Sequence, residues 1–196
     1  MKKKATARVM QAKKTKNKIF QSAIKLIEKR GFDNTTIEDI SKLAGVSVGA
    51  FYHHYKSKRE IFLELYKEID SYYENEVAPQ ATSPDVSDNL LLFLRHYARY
   101  NVLRGYDNVK LLFQGQDKLL LDRERYMYVL LRQILTDGLD RRQFAAGYDA
   151  AYIEDYLLVM TRGVVYDWLL KEGAFDLEEK LAEYFGLFFQ IFRAKP

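Results

Sequence analysis

Apolar residues recur with the period of an α-helix along most of this chain, and few residues interrupt that period. Among 196 residues there are only three prolines and ten glycines, so helices can cover most of the length. The first predicted helix begins near Thr15 and ends at Gly31. Its apolar face carries Ile19, Phe20, Ala23, Ile24 and Ile27. The pattern predicts an all-α protein with about nine helices in total.

Residues 35–60 predict two short helices that are joined by a tight turn. Thr36 and Asp39 have the spacing of a capping box, in which a hydroxyl and a carboxylate satisfy backbone N–H groups at a helix start. Gly45 lies where a left-handed residue ends that helix, and Ser47 caps the next one. This order of elements is that of a helix-turn-helix DNA-binding motif.

The same stretch predicts which side chains face the interior. We expect the first short helix to bury Ile40 and Leu43, and the second to bury Phe51 and Tyr55. The outward face of the second helix then carries Val48, Gly49, Tyr52 and His53. That face is the one available to a groove of DNA.

Caps and apolar stripes predict the helices that follow. Ser57 and Glu60 form another capping box, which opens a fourth helix that ends before Pro79. We expect Ser87 to cap the fifth helix after a loop rich in turn-forming residues. The fifth and later helices are predicted at about 88–103, 107–114, 118–139, 150–171 and 176–192.

The last predicted helix is apolar over more than half of its circumference. One face of such a helix satisfies the core of its own chain, so the remainder needs a second partner, and another copy of the chain is the simplest candidate. In the preceding helix, Gly163 predicts a close approach between helices. We therefore expect a homodimer. Its predicted interface consists of Val164, Phe185, Phe188, Phe189 and Phe192.

Aromatic residues are frequent in the second part of the chain. Apolar walls with a few hydroxyl groups are typical of a pocket for an apolar or aromatic ligand, and ordinary core packing is the alternative. Arg95 and Arg99 are four residues apart, and they either meet an anionic headgroup or lie on a solvated face. The predicted pocket residues are Phe93, Tyr97, Tyr100, Phe113, Met127, Tyr156, Met160 and Trp168.

Charge divides the chain into a basic first part and an acidic remainder. Residues 1–60 carry 15 Lys and Arg against 5 Asp and Glu, a net charge of +10, whereas the remainder carries 16 against 22, a net charge of −6. A localised positive surface predicts contact with a polyanion, most simply nucleic acid, and a solvated basic tail is the alternative. We expect a flexible basic arm at 1–14, a DNA-binding domain at 15–60, and a helical effector-binding and dimerisation domain at 61–196.

The sequence gives no support to an enzyme, a metal centre or a bound cofactor. Without cysteine, it has neither a disulfide framework nor a thiolate metal site. His53 and His54 point about 100° apart on a helix, and His96 is the only other histidine. We find no nucleophile paired with a base and no phosphate-binding glycine loop. No apolar run suits an export signal or a membrane span, so we expect a cytoplasmic protein.

One segment resembles the DNA-binding head of the TetR (tetracycline-repressor-like) family of transcriptional regulators: TTIEDISKLAGVSVGAFYHHYKSKREIF, preceded by KRGFDN. The resemblance covers about Lys16 to Tyr66 and rests on AGVS, a small residue, FY, and KSK with an acidic residue. It implies a three-helix DNA-binding domain whose third helix lies in the major groove, joined to a body that binds a ligand and dimerises. The expected function is a homodimeric repressor that a small apolar or aromatic effector releases from a palindromic double-stranded operator.

The resemblance also implies roles for individual residues. Thr36 and Lys58 match positions that contact phosphates at helix N-termini, and Lys56 is expected to assist them. Tyr52 and His54 match positions that approach the DNA backbone or bases. The positions that enter the groove first are Ser47, Val48, Gly49 and Ala50.

The residues that enter the groove first are poor in polar side chains. Val48, Gly49 and Ala50 offer only methyl contacts or a close backbone approach. Discrimination between sequences is therefore expected to depend on Tyr52, on the histidine pair 53–54 and on DNA shape. An alternative function keeps the same head but has no inducer: a DNA-bound organising protein whose body docks other proteins.

Overall fold

The computed structural model describes residues 2–106, 109–110, 113 and 122–194, although not the side chains of residues 2–7, 28, 62, 63 and 65. By their contacts, the residues divide into two compact units, Met1–Lys67 and Glu68–Pro196, which we name the head and the body. The named helices are α1 (Lys2–Arg30), α2 (Ile37–Ala44), α3 (Val48–His54), α4 (Lys58–Tyr72), α5 (Val86–Arg104), α6 (Tyr126–Asp140), α7 (Ala150–Leu170) and α8 (Leu177–Phe192).

The described residues are almost entirely helical, and the all-α prediction is confirmed. Residues 106, 109, 110 and 113 are also helical, in the region of the predicted helix at 107–114. The one extended pairing in the described part of the chain is an isolated bridge between Phe144 and Arg193. None of the helices described is long and apolar enough to cross a membrane.

The head is built on the apolar face of α1, which packs on α2 and α3. Ile19, Ile40 and Phe51 are fully buried there. The prediction for Leu43 is wrong, because this side chain is 47% exposed. The buried positions of α2 are Ile40, Ser41 and Ala44, which recur at helical spacing and leave Leu43 on the solvent side.

Residues 2–14 differ from the expected flexible arm, because α1 begins at Lys2 and runs without a break to Arg30. No glycine or proline precedes Gly31, and Lys, Ala, Arg, Met and Gln all favour helix. Adding residues to an existing helix avoids the unfavourable nucleation step. The side chains of residues 8–14 are all exposed.

The body has its main core between α5, α6, α7 and α8. Fully buried side chains from three of these helices meet there, among them Leu90, Leu131, Leu135, Ile153 and Leu157. Phe185 and Phe189 of α8 close the same cluster. α4 passes into a π-helical turn, Tyr73–Val77, and a short 3-10 turn, Ala78–Gln80, that contains Pro79.

Two predicted helix starts in the body are wrong. α5 is capped by Asp85 rather than Ser87, because the Asp85 carboxylate accepts hydrogen bonds from the Ser87 N–H and hydroxyl, both at 2.8 Å. α6 begins at Tyr126, although a helix was expected from about 118; residues 118–121 lie outside the described residues. Residues 122–125 form a turn in which the Asp122 carboxylate accepts from the Glu124 N–H at 3.1 Å.

Candidate functional site

The two short helices of the head are held by the caps that the sequence predicts. The Thr36 hydroxyl accepts from the Asp39 N–H at 3.1 Å, and the Asp39 carboxylate accepts from the Thr36 N–H at 3.3 Å. The Thr36 side-chain hydrogen bond also lowers the pKa of Asp39. Gly45 is left-handed, with φ of 65°, and the Ser47 hydroxyl accepts from the Ala50 N–H at 3.1 Å. The Thr36 cap fixes the start of α2, Gly45 ends α2, and the Ser47 cap fixes the start of α3.

The inward side of α3 is anchored by two aromatic rings. Phe51 and Tyr55 are buried, with ring centroids 5.9 Å apart. Their burial sets the rotation of α3, because residues four apart share one face of a helix. The opposite face is therefore presented to solvent.

The outward side of α3 has the composition expected from the sequence. Tyr52 is 54% exposed, Gly49 and His53 are exposed, and Val48 and Ala50 are half-buried. A Cβ added at Gly49 would meet only the Ser47 hydroxyl oxygen, at 3.9 Å. The face thus combines a ring with a hydroxyl, methyl groups and an open backbone, which suits close approach to a groove.

The histidine pair 53–54 lies at the end of α3. The two rings are 5.1 Å apart in an edge-to-face arrangement. Burial, together with the charges of His53 and Lys16, lowers the pKa of His54. The lowered pKa favours the neutral imidazole, which has one donor and one acceptor nitrogen. In the described part of the chain, no three His, Asp or Glu side chains are grouped so as to hold a metal ion.

Lys58, which is expected at a DNA phosphate, is engaged within the head in this structure. Its ammonium donates hydrogen bonds to the carbonyl oxygens of Thr35, at 2.7 Å, and of Phe32, and it lies 4.0 Å from the centroid of the Phe32 ring. Burial lowers the pKa of Lys58. The side chain fills the turn between α1 and α2, because that turn presents carbonyl groups outside any helix. In this structure Lys58 joins the start of α4 to the turn before α2.

Lys56 and the cap of α4 complete this side of the head. The side chain of Lys56 is exposed, as a phosphate contact requires. The Ser57 hydroxyl accepts from the Glu60 N–H at 3.3 Å, as predicted. The Glu60 carboxylate accepts from the Lys56 N–H rather than from the predicted Ser57 N–H, so the reciprocal bond is shifted by one residue.

Sequence reasoning missed the position of Lys16. Its ammonium is 2.8 Å from a Glu64 carboxylate oxygen and 5.2 Å from the centroid of the Tyr55 ring. Lys16 therefore ties α1 to α4 through Glu64 and to the C-terminal end of α3 through Tyr55. The sequence shows a basic residue one turn before the first apolar stripe, but no local pattern identifies Glu64 and Tyr55 as its partners.

The eight predicted pocket residues are distributed over several parts of the described body. Phe93 and Met127 are buried in the main core, with Tyr97 and Met160 packed at its edge. Trp168 belongs to a second buried cluster, against which Phe113 packs. Tyr100 contacts Tyr72, with ring centroids 5.1 Å apart, and Tyr156 is exposed. Among the described residues, most of these side chains are therefore buried in the two clusters or lie at the surface, and the pocket assignment stays a prediction.

A cleft of about 450 Å³ lies in the body, and Trp168 is the one predicted pocket residue in its wall. Its lining residues are Arg99, Val102, Leu103, Trp168, Gly173, Phe175, Asp176, Leu177 and Glu178. The Trp168 indole N–H donates to the Phe175 carbonyl at 3.1 Å, which fixes one apolar wall. The cleft therefore has aromatic and aliphatic walls with charged groups at its rim.

The arginine pair 95 and 99 is engaged by a carboxylate at that rim. The Glu178 carboxylate accepts from the Arg99 guanidinium at 2.7 Å and 2.8 Å, and from Arg95 at 3.3 Å. The hydrogen bond from Arg99 lowers the pKa of Glu178. An anionic headgroup at this position has to compete with Glu178, so the structure favours the alternative of an exposed ion-pair surface.

The five residues predicted at a dimer interface are buried inside the chain. Val164 belongs to the second cluster, and Phe185, Phe188, Phe189 and Phe192 belong to the main core. α8 is apolar on two sides, and its phenylalanines lie on the side that packs against the rest of the body.

A different set of side chains occupies the free side of the last two helices. Leu187 and Ile191 of α8 are 62% and 65% exposed. The exposed residues of α7 are also apolar in large part: Tyr152, Tyr156, Val159, Tyr166 and Leu170. The close approach predicted at Gly163 is absent within the described chain, because no atom lies within 4 Å of a Cβ placed there. We name this surface of α7 and α8 the outer apolar face.

Known proteins share both the head and the overall fold. Residues 19–65 match the family described as bacterial regulatory proteins, tetR family. The HTH-type transcriptional regulator AcrR of Shigella flexneri is 24% identical over 95% of this chain and 93% of its own length.

Two solved structures extend the likeness to the body. NalD, the secondary repressor of the MexAB-OprM multidrug efflux pump in Pseudomonas aeruginosa, has a TM-score of 0.76 at 20% identity and covers 95% of this chain and 100% of its own. FadR from Bacillus subtilis, in complex with stearoyl-CoA, has a TM-score of 0.73 at 19% identity, covering 87% and 96%. With its capped α2, glycine turn and outward α3 face, the head resembles the DNA-binding domain of the TetR family, and the chain as a whole is similar to TetR-family transcriptional regulators.

Proposed function

We propose that this protein is a homodimeric repressor that binds a palindromic operator through two copies of α3 and is released by a small apolar or aromatic effector. The observation that carries the proposal is the outward face of α3, which places Tyr52 beside Gly49 and His53 on a helix fixed by caps at its start. Helix-turn-helix dimers read two half-sites about one DNA turn apart, so palindromy of the operator mirrors the symmetry of the dimer.

The direct test of the head is the affinity of Tyr52 variants for an operator selected from random duplexes. We expect Tyr52→Ala to weaken binding about tenfold, or roughly 1.4 kcal/mol, because it removes both ring and hydroxyl contacts. Tyr52→Phe is the matched control, which keeps the ring and separates the two contributions. Since Tyr52 is exposed, neither change lowers the melting temperature. Unchanged affinity of Tyr52→Ala contradicts the docking of α3.

The outer apolar face supports the dimer. Large exposed apolar residues recur along both α7 and α8, and exposed apolar surface of this kind is typical of an interface between protein chains. Gly163 and Gly186 lie on the same helices with open space around them, which permits a close approach by helices of a second copy. A second copy presents the same face, as a two-fold interface requires.

The cleft in the body supports the effector. Trp168, Phe175 and Leu177 give it apolar walls, and its volume of about 450 Å³ lies within the usual range for small-molecule sites. One protein of the same fold was solved with stearoyl-CoA, so acyl thioesters are rational first candidates beside apolar aromatic compounds. Such an effector releases DNA only if it binds the DNA-free conformation more tightly than the DNA-bound one.

The effector is testable through the single tryptophan of the chain, Trp168. We expect at least one acyl-CoA or aromatic compound to change the Trp168 emission, to raise the melting temperature by several degrees and to lower operator affinity. Trp168→Phe is the control that removes the emission signal while keeping an aromatic wall. Compounds that leave all three measurements unchanged favour the alternative, a DNA-bound docking protein without an inducer.

A further inference from the structure

The N-terminal part of α1, Lys2–Lys14, is helical, and the side chains described in it, residues 8–14, are all exposed. We name it the basic extension, and we propose that it is a second DNA contact, which binds backbone phosphates beside the half-site that α3 occupies. The inference rests on the proposed DNA-binding function of the head, and it adds a surface that the helix-turn-helix motif does not contain.

The charge of the basic extension is uniform. It carries six positive residues, Lys2, Lys3, Lys4, Arg8, Lys13 and Lys14, and the first acidic residue of the whole chain is Glu28. No acidic side chain within the extension can therefore form an intrahelical ion pair, which is the usual support of an exposed helix. Charge of one sign on this scale is complementary to a polyanion.

The described side chains of the basic extension, residues 8–14, gain no packing energy from burial. Residues 8–14 are all exposed, including Val9 and Met10, and the first buried side chain of α1 is Ile19. Lys14 and Lys18 are four apart, so their like charges repel on one helix face. Positive charge near the N-terminus of a helix also opposes the helix dipole. Phosphate groups along the helix relieve both effects, so this partner stabilises the conformation that the structure shows.

The C-terminal end of the basic extension lies near α3. Lys16, two residues after the extension ends, lies 5.2 Å from the centroid of the Tyr55 ring, and Tyr55 is the C-cap of α3. The extension therefore leaves the head beside the C-terminal end of the helix that enters the groove. Its 13 residues span about 20 Å at ~1.5 Å per residue, which corresponds to roughly six base pairs at ~3.4 Å per phosphate along each strand.

Salt dependence of DNA binding tests the proposal. The probe is a 40-base-pair duplex of random sequence, because phosphate contacts do not depend on an operator. Three proteins are compared: the full chain, a chain that lacks residues 2–14, and a full-length chain in which the six basic residues are Gln. We expect both variants to have a plot of log K against log salt that is shallower by about three to five, since each phosphate contact contributes roughly 0.9.

A fourth protein keeps the positive charge at all six positions and so tests whether charge alone matters. Its substitutions are Lys2→Arg, Lys3→Arg, Lys4→Arg, Arg8→Lys, Lys13→Arg and Lys14→Arg. It is expected to bind like the full chain. The melting temperature of the head is expected to remain unchanged in all variants, because the side chains of residues 8–14 are exposed. Equal slopes for the full chain and the deletion overturn the inference, and so does a lost slope that is accompanied by a lower melting temperature.

The helical form of the contact has its own test. Ala12→Pro keeps every charge but interrupts the helix, and Ala12→Ser is the matched control at the same exposed position. We expect the proline variant to bind the random duplex at least threefold more weakly than the serine variant. Equal affinity shows that a flexible polycation suffices and overturns the helical contact.

The outcomes separate this inference from the function on which it rests. If the full chain selects no operator and binds the random duplex without salt dependence, the proposed function fails. If the full chain selects an operator through α3 but the deletion retains its slope, only the contact by the basic extension fails.

Discussion

In the head, the positions at which helices begin and end are determined by residues close in the sequence. In the body, the orientation of the helices is determined by residues far away in the sequence. In α2 and α3 the start is fixed by a hydroxyl three residues from the amide that it accepts from, at Thr36 and Ser47. In α8, by contrast, Phe185 is buried and Leu187, two residues later, is exposed. Both are large and apolar, so only the packing partners distinguish their roles. Local chemistry determines where a helix begins, and distant contacts determine which apolar face is inside.

The largest expected effect is that of charge on the inner side of α8. Phe185 and Phe189 are buried, with ring centroids 5.5 Å apart. We expect Phe185→Glu with Phe189→Glu to destabilise the body by more than about 4 kcal/mol, because two carboxylates replace core aromatic rings. Urea unfolding followed by circular dichroism measures the loss.

The matched pair on the outer side of α8 is Leu187→Glu with Ile191→Glu. Both side chains are exposed, so the fold is expected to persist while the proposed dimer separates into monomers on size exclusion. A folded monomer from the phenylalanine pair, together with an intact dimer from the outer pair, would reverse the assignment of the two faces.

A smaller effect is expected at two glycines that have similar sequence contexts and different surroundings. A Cβ at Gly138 of α6 would lie 2.6 Å from a Val86 methyl carbon and 2.7 Å from the Phe144 ring, whereas a Cβ at Gly163 of α7 would meet nothing within 4 Å. We expect Gly138→Ala to destabilise the protein by about 1–3 kcal/mol through overpacking. Gly163→Ala is expected to stabilise the isolated chain by up to about 1 kcal/mol through helix propensity.

Thermal unfolding of both alanine variants, made in the Leu187→Glu and Ile191→Glu background, measures the two effects without a contribution from the proposed dimer. If Gly138→Ala leaves the stability unchanged, the side chains of Val86 and Phe144 can move to make room for the added methyl group without a loss of free energy. A destabilising Gly163→Ala would mean that α7 packs closely within one chain after all.

The head could be predicted from the sequence more completely than the body for a physical reason. Thr36, Gly45 and Ser47 act on groups within a few residues, so spacing alone identifies them. The rotation of α8 depends on partners in α5 and α7, and no local pattern encodes which of its two apolar sides they occupy. The same limit explains Lys58 in the head, whose carbonyl partners at Phe32 and Thr35 are more than 20 residues away.

The smallest expected effect separates two lysines of the head. Lys58→Met removes a charged donor from the carbonyls of Phe32 and Thr35, so we expect a loss of about 1 kcal/mol in unfolding free energy. Lys56→Met removes only an exposed side chain and is expected to leave stability unchanged. Differential scanning calorimetry measures both variants.

DNA binding by the same two variants completes the comparison. We expect Lys56→Met to reduce the slope of log K against log salt by about one, because one phosphate contact is lost. Lys58→Met is expected to weaken binding without changing that slope, because its ammonium acts on the turn between α1 and α2. Lys58→Arg, which can still donate to both carbonyls, is expected to recover affinity. A slope reduced by one in Lys58→Met, with stability intact, would instead return Lys58 to the phosphate backbone.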